Sequence, residues 1–154
     1  MNILPKIFIT TVCATLAACS PLMRSQAENR ATAIFEAGID LNSSEVFYVE
    51  RFSSDKRNLN KIIADNISGR GYKATAGEPG QVPDNATLVV SYVDDWKWDM
   101  TSYMIELTII FEESKTGTAI ARGNSQHPSR YRKSPEEMID EVLTSIIEAD
   151  LAED

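Results

Sequence analysis

Cysteine is scarce in this sequence and is confined to its N-terminal part. The chain of 154 residues contains only two cysteines, Cys13 and Cys19. The part that follows Cys19 therefore cannot form an internal disulfide, use a thiol nucleophile or bind a metal through cysteine. Since 43% of the residues are hydrophobic, we expect this part to fold on a hydrophobic core alone.

Histidine is equally scarce, and the usual catalytic motifs are missing. The only histidine, His127, stands beside Pro128 in a predicted loop, where we expect it to be solvated. There is no Gly-x-Ser-x-Gly motif, no glycine-rich phosphate loop and no internal repeat. The sequence thus predicts no catalytic residue, no metal site and no cofactor.

Positive charge is in short supply. Lys and Arg number 15 against 23 Asp and Glu, which gives a net charge of −8. Residues 1–18 contain Lys6 as their only charged group, so the chain without them carries −9. Because nucleic-acid binding needs clustered basic residues, this balance excludes nucleic acid as a partner. It also argues against electrostatic adsorption to anionic lipid headgroups.

No hydrophobic run near the N-terminus is long enough to cross a bilayer. The apolar run of residues 7–18 spans 12 residues, whereas a membrane-spanning helix needs roughly 20. A run of this length, preceded by Lys6 and ending in Ala17 and Ala18, is typical of a signal peptide over residues 1–18. The alternative is an ordinary secretory signal in which Cys19 occurs by chance.

The end of this run, Leu16-Ala17-Ala18-Cys19, resembles the lipobox of bacterial lipoproteins. The resemblance implies cleavage before Cys19, a diacylglyceryl group on its thiol and an acyl chain such as palmitate on its amino group. Ser20 stands where Asp commonly retains such proteins at the inner membrane. The resemblance therefore implies an anchor in the Gram-negative outer membrane, with the chain facing the periplasm.

The remainder of the chain alternates strand and helix patterns. We divide it into the lipidated Cys19 with a tether, residues 19–44, and a folded domain, residues 45–154. Within the tether, residues 31–41 fit either a short helix or an edge strand. The domain pattern predicts an α+β fold, a two-layer sandwich of a mainly antiparallel sheet of about four to five strands with two helices on one face. The predicted elements are a strand over 45–52, a helix from about 59 to 67, strands over 72–75, 86–98, 103–111 and 118–126, and a final helix that begins at the capping box Ser134–Glu137.

Two local patterns define these elements further. In the strand over 103–111, the odd positions from Tyr103 through Ile105 to Phe111 alternate with Met104, Glu106 and Thr108, which predicts one apolar face. Before the first helix, Ser53, Ser54 and Asp55 are candidates for its N-cap.

The densest group of polar and aromatic residues is Asp94-Asp95-Trp96-Lys97-Trp98-Asp99. The even spacing of Tyr92, Trp96 and Trp98 predicts that they share one strand face, and with Asp99 they are candidates for binding a ligand or partner. The competing interpretation is that the tryptophans pack in the core. A further alternative is a hydrolytic or metal-dependent site built from Asp94, Asp95 and Asp99.

The body of the chain also resembles small Gram-negative lipoproteins that have no established activity. The similarity lies in Trp96-Lys97-Trp98-Asp99, Tyr103-Met104, Gly117 and Ala121-Arg122-Gly123. It implies a non-enzymatic protein that joins the membrane through Cys19 and acts as a binding or assembly factor. The expected partner is an envelope protein or a cell-wall component; a small envelope hydrolase is the alternative.

Overall fold

The computed structural model of the chain describes residues 30–35, 41 and 46–150. The predicted signal peptide and Cys19 lie outside these residues. The elements in chain order are β1 (Arg30–Phe35), β2 (Val46–Glu50), α1 (Leu59–Gly69), β3 (Lys73–Gly77), β4 (Leu88–Asp99), β5 (Thr101–Glu113), β6 (Ala119–Gln126) and α2 (Pro135–Asp150). Within the described ranges, no helix has the length and apolar composition that a membrane crossing requires.

The described strands form one six-stranded mixed sheet in the order β1-β6-β5-β4-β2-β3. Three of its strand pairs are antiparallel, while β2 is parallel to both β3 and β4. α1 contacts β2 and β3, α2 contacts β1, β5 and β6, and the helices contact each other, so they form one layer. The predicted α+β two-layer architecture is confirmed.

The strand β1, which the prediction did not include in the sheet, lies inside the segment that we assigned to a tether from the sequence. It pairs antiparallel with β6 from Arg30 opposite Gln126 to Phe35 opposite Ala121. Residues 30–35 have no clear alternation of apolar and polar side chains, so their strand conformation depends on this pairing rather than on a local pattern. The folded part therefore begins before the predicted boundary at residue 45, and the sheet exceeds the predicted four to five strands.

The core lies between the helices and one face of the sheet. α2 contributes an apolar stripe that includes the fully buried Val142, Leu143 and Ile146. This stripe sits directly on β6, since a Cβ atom on Gly123 would lie 2.7 Å from a methyl group of Val142. The helix begins as predicted, with the Glu137 amide donating to the Ser134 hydroxyl at 3.2 Å and the Ser134 amide donating to the Glu137 carboxylate at 2.7 Å.

The predicted alternation of β5 is interrupted by one residue. Asp95 pairs with Glu106, but the next β4 residue, Trp96, pairs with Met104, which leaves Ile105 as the extra residue of a β-bulge. A one-residue shift exchanges the two faces of a strand. Met104 consequently enters the core, and the prediction that residues 103 and 105 share the apolar face of residues 107–111 is wrong.

Candidate functional site

The β4–β5 hairpin extends beyond the rest of the sheet. β6 ends at Gln126, which lies opposite Glu106, and the pairing of β2 with β4 stops at Val90. Among the strands that the structure describes, β4 and β5 therefore have only each other as neighbours past the Asp95–Glu106 pair. This two-stranded projection, residues 96–103, is called the tip below.

The tip exposes large apolar side chains to solvent. Trp98 is 78% exposed and Met100 is 89% exposed. Met100 forms the turn between the two strands, and its φ of 58° places a non-glycine residue in the left-handed region. Most exposed positions of a strand ribbon carry polar side chains, so an aromatic and a thioether together at the turn are typical of a contact surface.

Two loops flank the tip: the α1 loop, residues 51–58, and the α2 loop, residues 127–134. Arg57 of the α1 loop stacks on the ring of Trp96 at 3.6 Å from its centroid. Arg132 of the α2 loop stacks on Tyr103 at 3.8 Å and donates a hydrogen bond to Asp99 at 3.1 Å. Each loop thus holds the ribbon through one planar cation.

Tyr92 lies in the core, in the part of β4 that precedes the tip. Its hydroxyl donates to Asp55 Oδ2 at 2.8 Å and accepts the Phe52 amide at 3.2 Å, while only 2% of the residue is exposed. Burial raises the pKa of Tyr92, and the hydrogen bond to Asp55 raises it further. Tyr92 is therefore a core residue and does not belong to an exposed binding surface, which corrects the prediction that it contacts a ligand or partner.

Asp55 connects this buried tyrosine to the start of α1. Its carboxylate accepts the backbone amides of Arg57 at 2.6 Å and Leu59 at 2.7 Å. Burial raises the pKa of Asp55, but the hydrogen bonds from Arg57, Tyr92 and Leu59 outweigh it and hold the pKa below its usual range. Asp55 was predicted as one of three N-cap candidates; it caps the helix from the preceding loop, since α1 starts only at Leu59.

His127 is buried, which corrects the expectation that it is solvated. Only 4% of the residue is exposed, and its Nε2 lies 2.7 Å from the Glu141 carboxylate. Ser125 donates to the same carboxylate at 2.9 Å, and so does the ammonium group of Lys133. Burial raises the pKa of Glu141, but these three partners outweigh it and the pKa is lowered. The cluster fastens the α2 loop to α2.

A cavity of about 340 Å³ lies between the tip and the α2 loop. The β5 bulge contributes to it, because Tyr103 and Ile105 point away from the core there. This volume is at the lower end of ordinary ligand pockets. Its lining consists of Lys97, Tyr103, Ile105, Gln126, His127, Pro128 and Ser129.

The three aspartates of the alternative catalytic hypothesis do not form a common site. Each carboxylate contacts a different partner: Asp94 the indole of Trp96, Asp95 the ammonium of Lys97 at 3.7 Å, and Asp99 the guanidinium of Arg132 at 3.1 Å. In the part of the chain that the structure describes, no group of three or more His, Cys, Asp or Glu side chains is placed to hold a metal ion.

Of the predicted surface residues, Trp96, Trp98 and Asp99 do lie together on the tip, and Trp96 also packs against the core. The pattern missed Met100 and both arginines. Arg57 and Arg132 lie far from the tip in sequence, so only the fold brings them to it. Met100 stands in the turn between two predicted strands, and this location is the one local signal in the sequence from which its exposure could have been inferred.

Comparison with known proteins identifies a shared fold but no family. No family model and no curated protein matches the chain. A PelC dodecamer from Paraburkholderia phytofirmans is similar in structure, with a TM-score of 0.56 and 12% identity over 76% of this chain and 98% of that chain. A point variant of that PelC dodecamer gives a TM-score of 0.51 and 18% identity over 75% and 96% of the two chains. At these identities the likeness concerns the fold alone.

Proposed function

We propose that the chain is a non-enzymatic, lipid-anchored envelope protein that acts as a binding or accessory factor at the outer membrane and faces the periplasm. Cys19 carries the lipid, and the tip is the binding surface. The observation that carries the proposal is the exposure of Trp98 and Met100 on a ribbon that two loops hold in place.

The construction of the tip supports a binding role over a purely structural one. Arg57 and Arg132 are positioned by loops that lie outside the hairpin, so the ribbon is held before any partner arrives. A preorganised surface loses less conformational entropy on binding than a mobile one. Trp96 and Tyr103, the rings that the arginines hold, support the exposed Trp98 and Met100 from within the same ribbon, and tryptophan is enriched among interaction hot spots.

Two other functions have less support. A hydrolase or metal enzyme built on Asp94, Asp95 and Asp99 requires carboxylates that act together, and these have separate partners. Self-association is suggested by the PelC structures, which are dodecamers. Since that likeness is one of fold, a second copy of this chain is treated as an alternative occupant of the tip.

The anchor is tested by metabolic labelling with a palmitate analogue. We expect the wild-type protein to incorporate the label and Cys19→Ala to lose it. Cys13→Ala is the matched control, because Cys13 lies in the predicted signal peptide and leaves with it, so this variant should keep the label. Equal labelling of wild type and Cys19→Ala would refute the anchor.

The binding surface is tested by photocrosslinking in intact cells. A benzoylphenylalanine placed at Trp98 should form an adduct on irradiation, because the tip is in contact with its partner. The same residue placed at Lys115, an exposed position in the β5–β6 turn, is the control and should remain unreacted. A tip that gives no adduct under conditions in which the protein is folded would remove the proposed surface.

A further inference from the structure

We propose that Met100 is a redox modification site: peroxide converts its thioether to a sulfoxide, and the sulfoxide releases the partner that the tip binds. The inference rests on the proposed function, because it assigns a means of regulation to that binding surface. It depends on three observations: where the sulfur atoms of the chain lie, which backbone conformation holds Met100, and how little Met100 contributes to the fold.

Exposed sulfur is rare in the folded part of the chain. After Cys19 the sequence contains no further cysteine, and its sulfur atoms belong to four methionines, Met23, Met100, Met104 and Met138. Met23 lies outside the described residues. Met104 is 1% exposed and Met138 is 0% exposed, whereas Met100 is 89% exposed. Because oxidation of a side chain follows its exposure, an oxidant in solution reaches Met100 and not the two methionines of the core.

The turn that carries Met100 disfavours a methionine. Asp99 pairs with Thr101 across the turn, and Met100 between them has a φ of 58°. Glycine adopts this left-handed conformation freely, while a residue with a long side chain meets a steric penalty there. The geometry of the hairpin alone would therefore favour glycine at position 100. We attribute the methionine to a role of its side chain rather than to a role in the turn.

Met100 contributes no packing to the core. The hydrophobic core and the side chains packed against it include Trp96 and Met104 but not Met100. An oxygen atom added to the sulfur of Met100 thus stays in solvent, and we expect it to leave the stability of the domain unchanged. The same oxygen on Met104 would be buried among apolar side chains, where a polar group without a partner is destabilising. Oxidation at the turn can therefore alter the surface without unfolding the protein.

The chemical step is a two-electron oxidation of the thioether. A lone pair of the sulfur attacks one oxygen of hydrogen peroxide, and the O–O bond breaks as the S–O bond forms. The departing hydroxide takes the proton that remains on the transferred oxygen, which gives water and the sulfoxide. Sulfoxide reductases reverse the modification, with their own thiols as the reductant. Because this chain has no cysteine after Cys19, the reducing thiols have to come from another protein.

Oxidation changes the binding surface at its most exposed point. A thioether is a flexible apolar group that packs well against a partner, whereas a sulfoxide is polar. A partner that fits the apolar pair of Trp98 and Met100 would have to bury the new oxygen without a hydrogen-bond donor, which disfavours the complex. The arginine contacts to Trp96 and Tyr103 do not involve Met100. They hold the ribbon in both states, so the effect is confined to the contact with the partner.

The modification is tested on the purified full-length protein with hydrogen peroxide. We expect peptide mass spectrometry to find one added oxygen on Met100, while Met104 and Met138 stay unmodified. In urea all three should react, which would show that burial protects the two core residues. The thermal melt of the folded, oxidised protein should match that of the untreated protein. Oxidation of Met104 or Met138 before Met100 would overturn the proposal.

The consequence for binding is tested with the benzoylphenylalanine reporter at Trp98 in intact cells. Peroxide is added while the protein is being made, so that new chains meet it before they bind. We expect most of the adduct to be lost, and to return after peroxide is removed and synthesis is stopped. Met100→Gln, whose side-chain carbonyl stands near the position of the sulfoxide oxygen, should lose the adduct without peroxide. Met100→Leu is apolar and cannot form a sulfoxide, so this matched control should keep the adduct in both conditions.

The outcomes separate the switch from the binding surface. An adduct that persists although Met100 carries the sulfoxide overturns the switch and leaves the proposed function intact. A Met100 that remains a thioether in treated cells overturns the switch as well, and so does loss of the adduct in Met100→Leu. Absence of the adduct in untreated cells overturns the proposed function and the switch together.

Discussion

Both halves of the β4–β5 hairpin carry large apolar side chains, but these are buried in one half and exposed to solvent in the other. At the hairpin base, residues 88–92 and 107–111, alternate side chains such as Val90, Tyr92 and Leu107 are buried beneath the helices. At the tip, residues 96–103, the same ribbon continues past the sheet and exposes Trp98 and Met100. Large apolar side chains thus occur along these strands beyond the part that lies in the core.

This contrast separates stability from binding along one pair of strands. Burial of each large apolar side chain stabilises the base by about 1.5 to 3 kcal/mol, whereas an exposed tryptophan gains almost nothing from folding. Between the two halves lie Asp55 and Arg57, which bond to the core side and to the tip side respectively. Substitutions should therefore lower the free energy of unfolding most at the base, less at this junction of Asp55 and Arg57, and least at the tip.

The largest effect is expected where a charge enters the core. Leu143→Asp places a carboxylate among fully buried residues of α2, and we expect a loss of about 5 kcal/mol or more, enough to unfold the domain. Circular dichroism and a thermal melt would detect this. Leu143→Met preserves volume and should cost less than about 1.5 kcal/mol; a cooperative, wild-type melt for Leu143→Asp would show that α2 does not cover the core.

The junction should respond strongly to loss of Asp55. Asp55→Ala removes the acceptor of three hydrogen bonds, so the Leu59 amide and the hydroxyl proton of Tyr92 lose their partner, and we expect the free energy of unfolding in urea to fall by about 3 kcal/mol. Asp55→Asn retains one acceptor oxygen and should lose less. Equal stability of Asp55→Ala and wild type would mean that this carboxylate does not organise the start of α1.

Local sequence patterns were sufficient to predict the structure of the base, but not that of the junction or of most of the tip. The alternation of residues 107–111 and the stripe of α2 follow from local periodicity, and the capping box Ser134–Glu137 is a local motif. The bulge at Ile105 is set by pairing between strands, and β1 is a strand because β6 lies beside it. Long-range partners such as Arg57 for Trp96 and Glu141 for His127 leave no periodic signal in the chain.

The cluster that holds the α2 loop should make stability depend on pH. The pKa of Glu141 is lowered in the folded protein, so its contribution is present above the unfolded pKa and is lost as the pH falls through the folded pKa. We expect Glu141→Gln to lose about 1 to 2 kcal/mol near neutral pH, and this deficit should shrink below about pH 4. Urea titrations at both pH values measure it; a deficit that does not change with pH would contradict the lowered pKa.

The contacts of Arg57, on the tip side of the junction, should contribute less to stability than those of Asp55 on the core side. Arg57→Ala removes the stacking on Trp96 and the hydrogen bond to Ser102, and we expect a loss of about 1 kcal/mol. Emission from Trp96 in a Trp98→Phe background should shift toward that of a solvated indole. Arg57→Lys retains the charge but not the planar stacking group and should be intermediate. An unchanged emission spectrum would mean that Arg57 does not cover the ring.

The smallest effect on stability is expected at the tip itself, and it tests the separation of the two halves most directly. The measurement is the free energy of unfolding of Trp98→Ala in urea, monitored by circular dichroism. We predict a value within about 0.5 kcal/mol of wild type, because the ring contributes to contact with a partner rather than to the core. A loss of about 3 kcal/mol, typical of a buried aromatic residue, would contradict this account and make Trp98 part of the core.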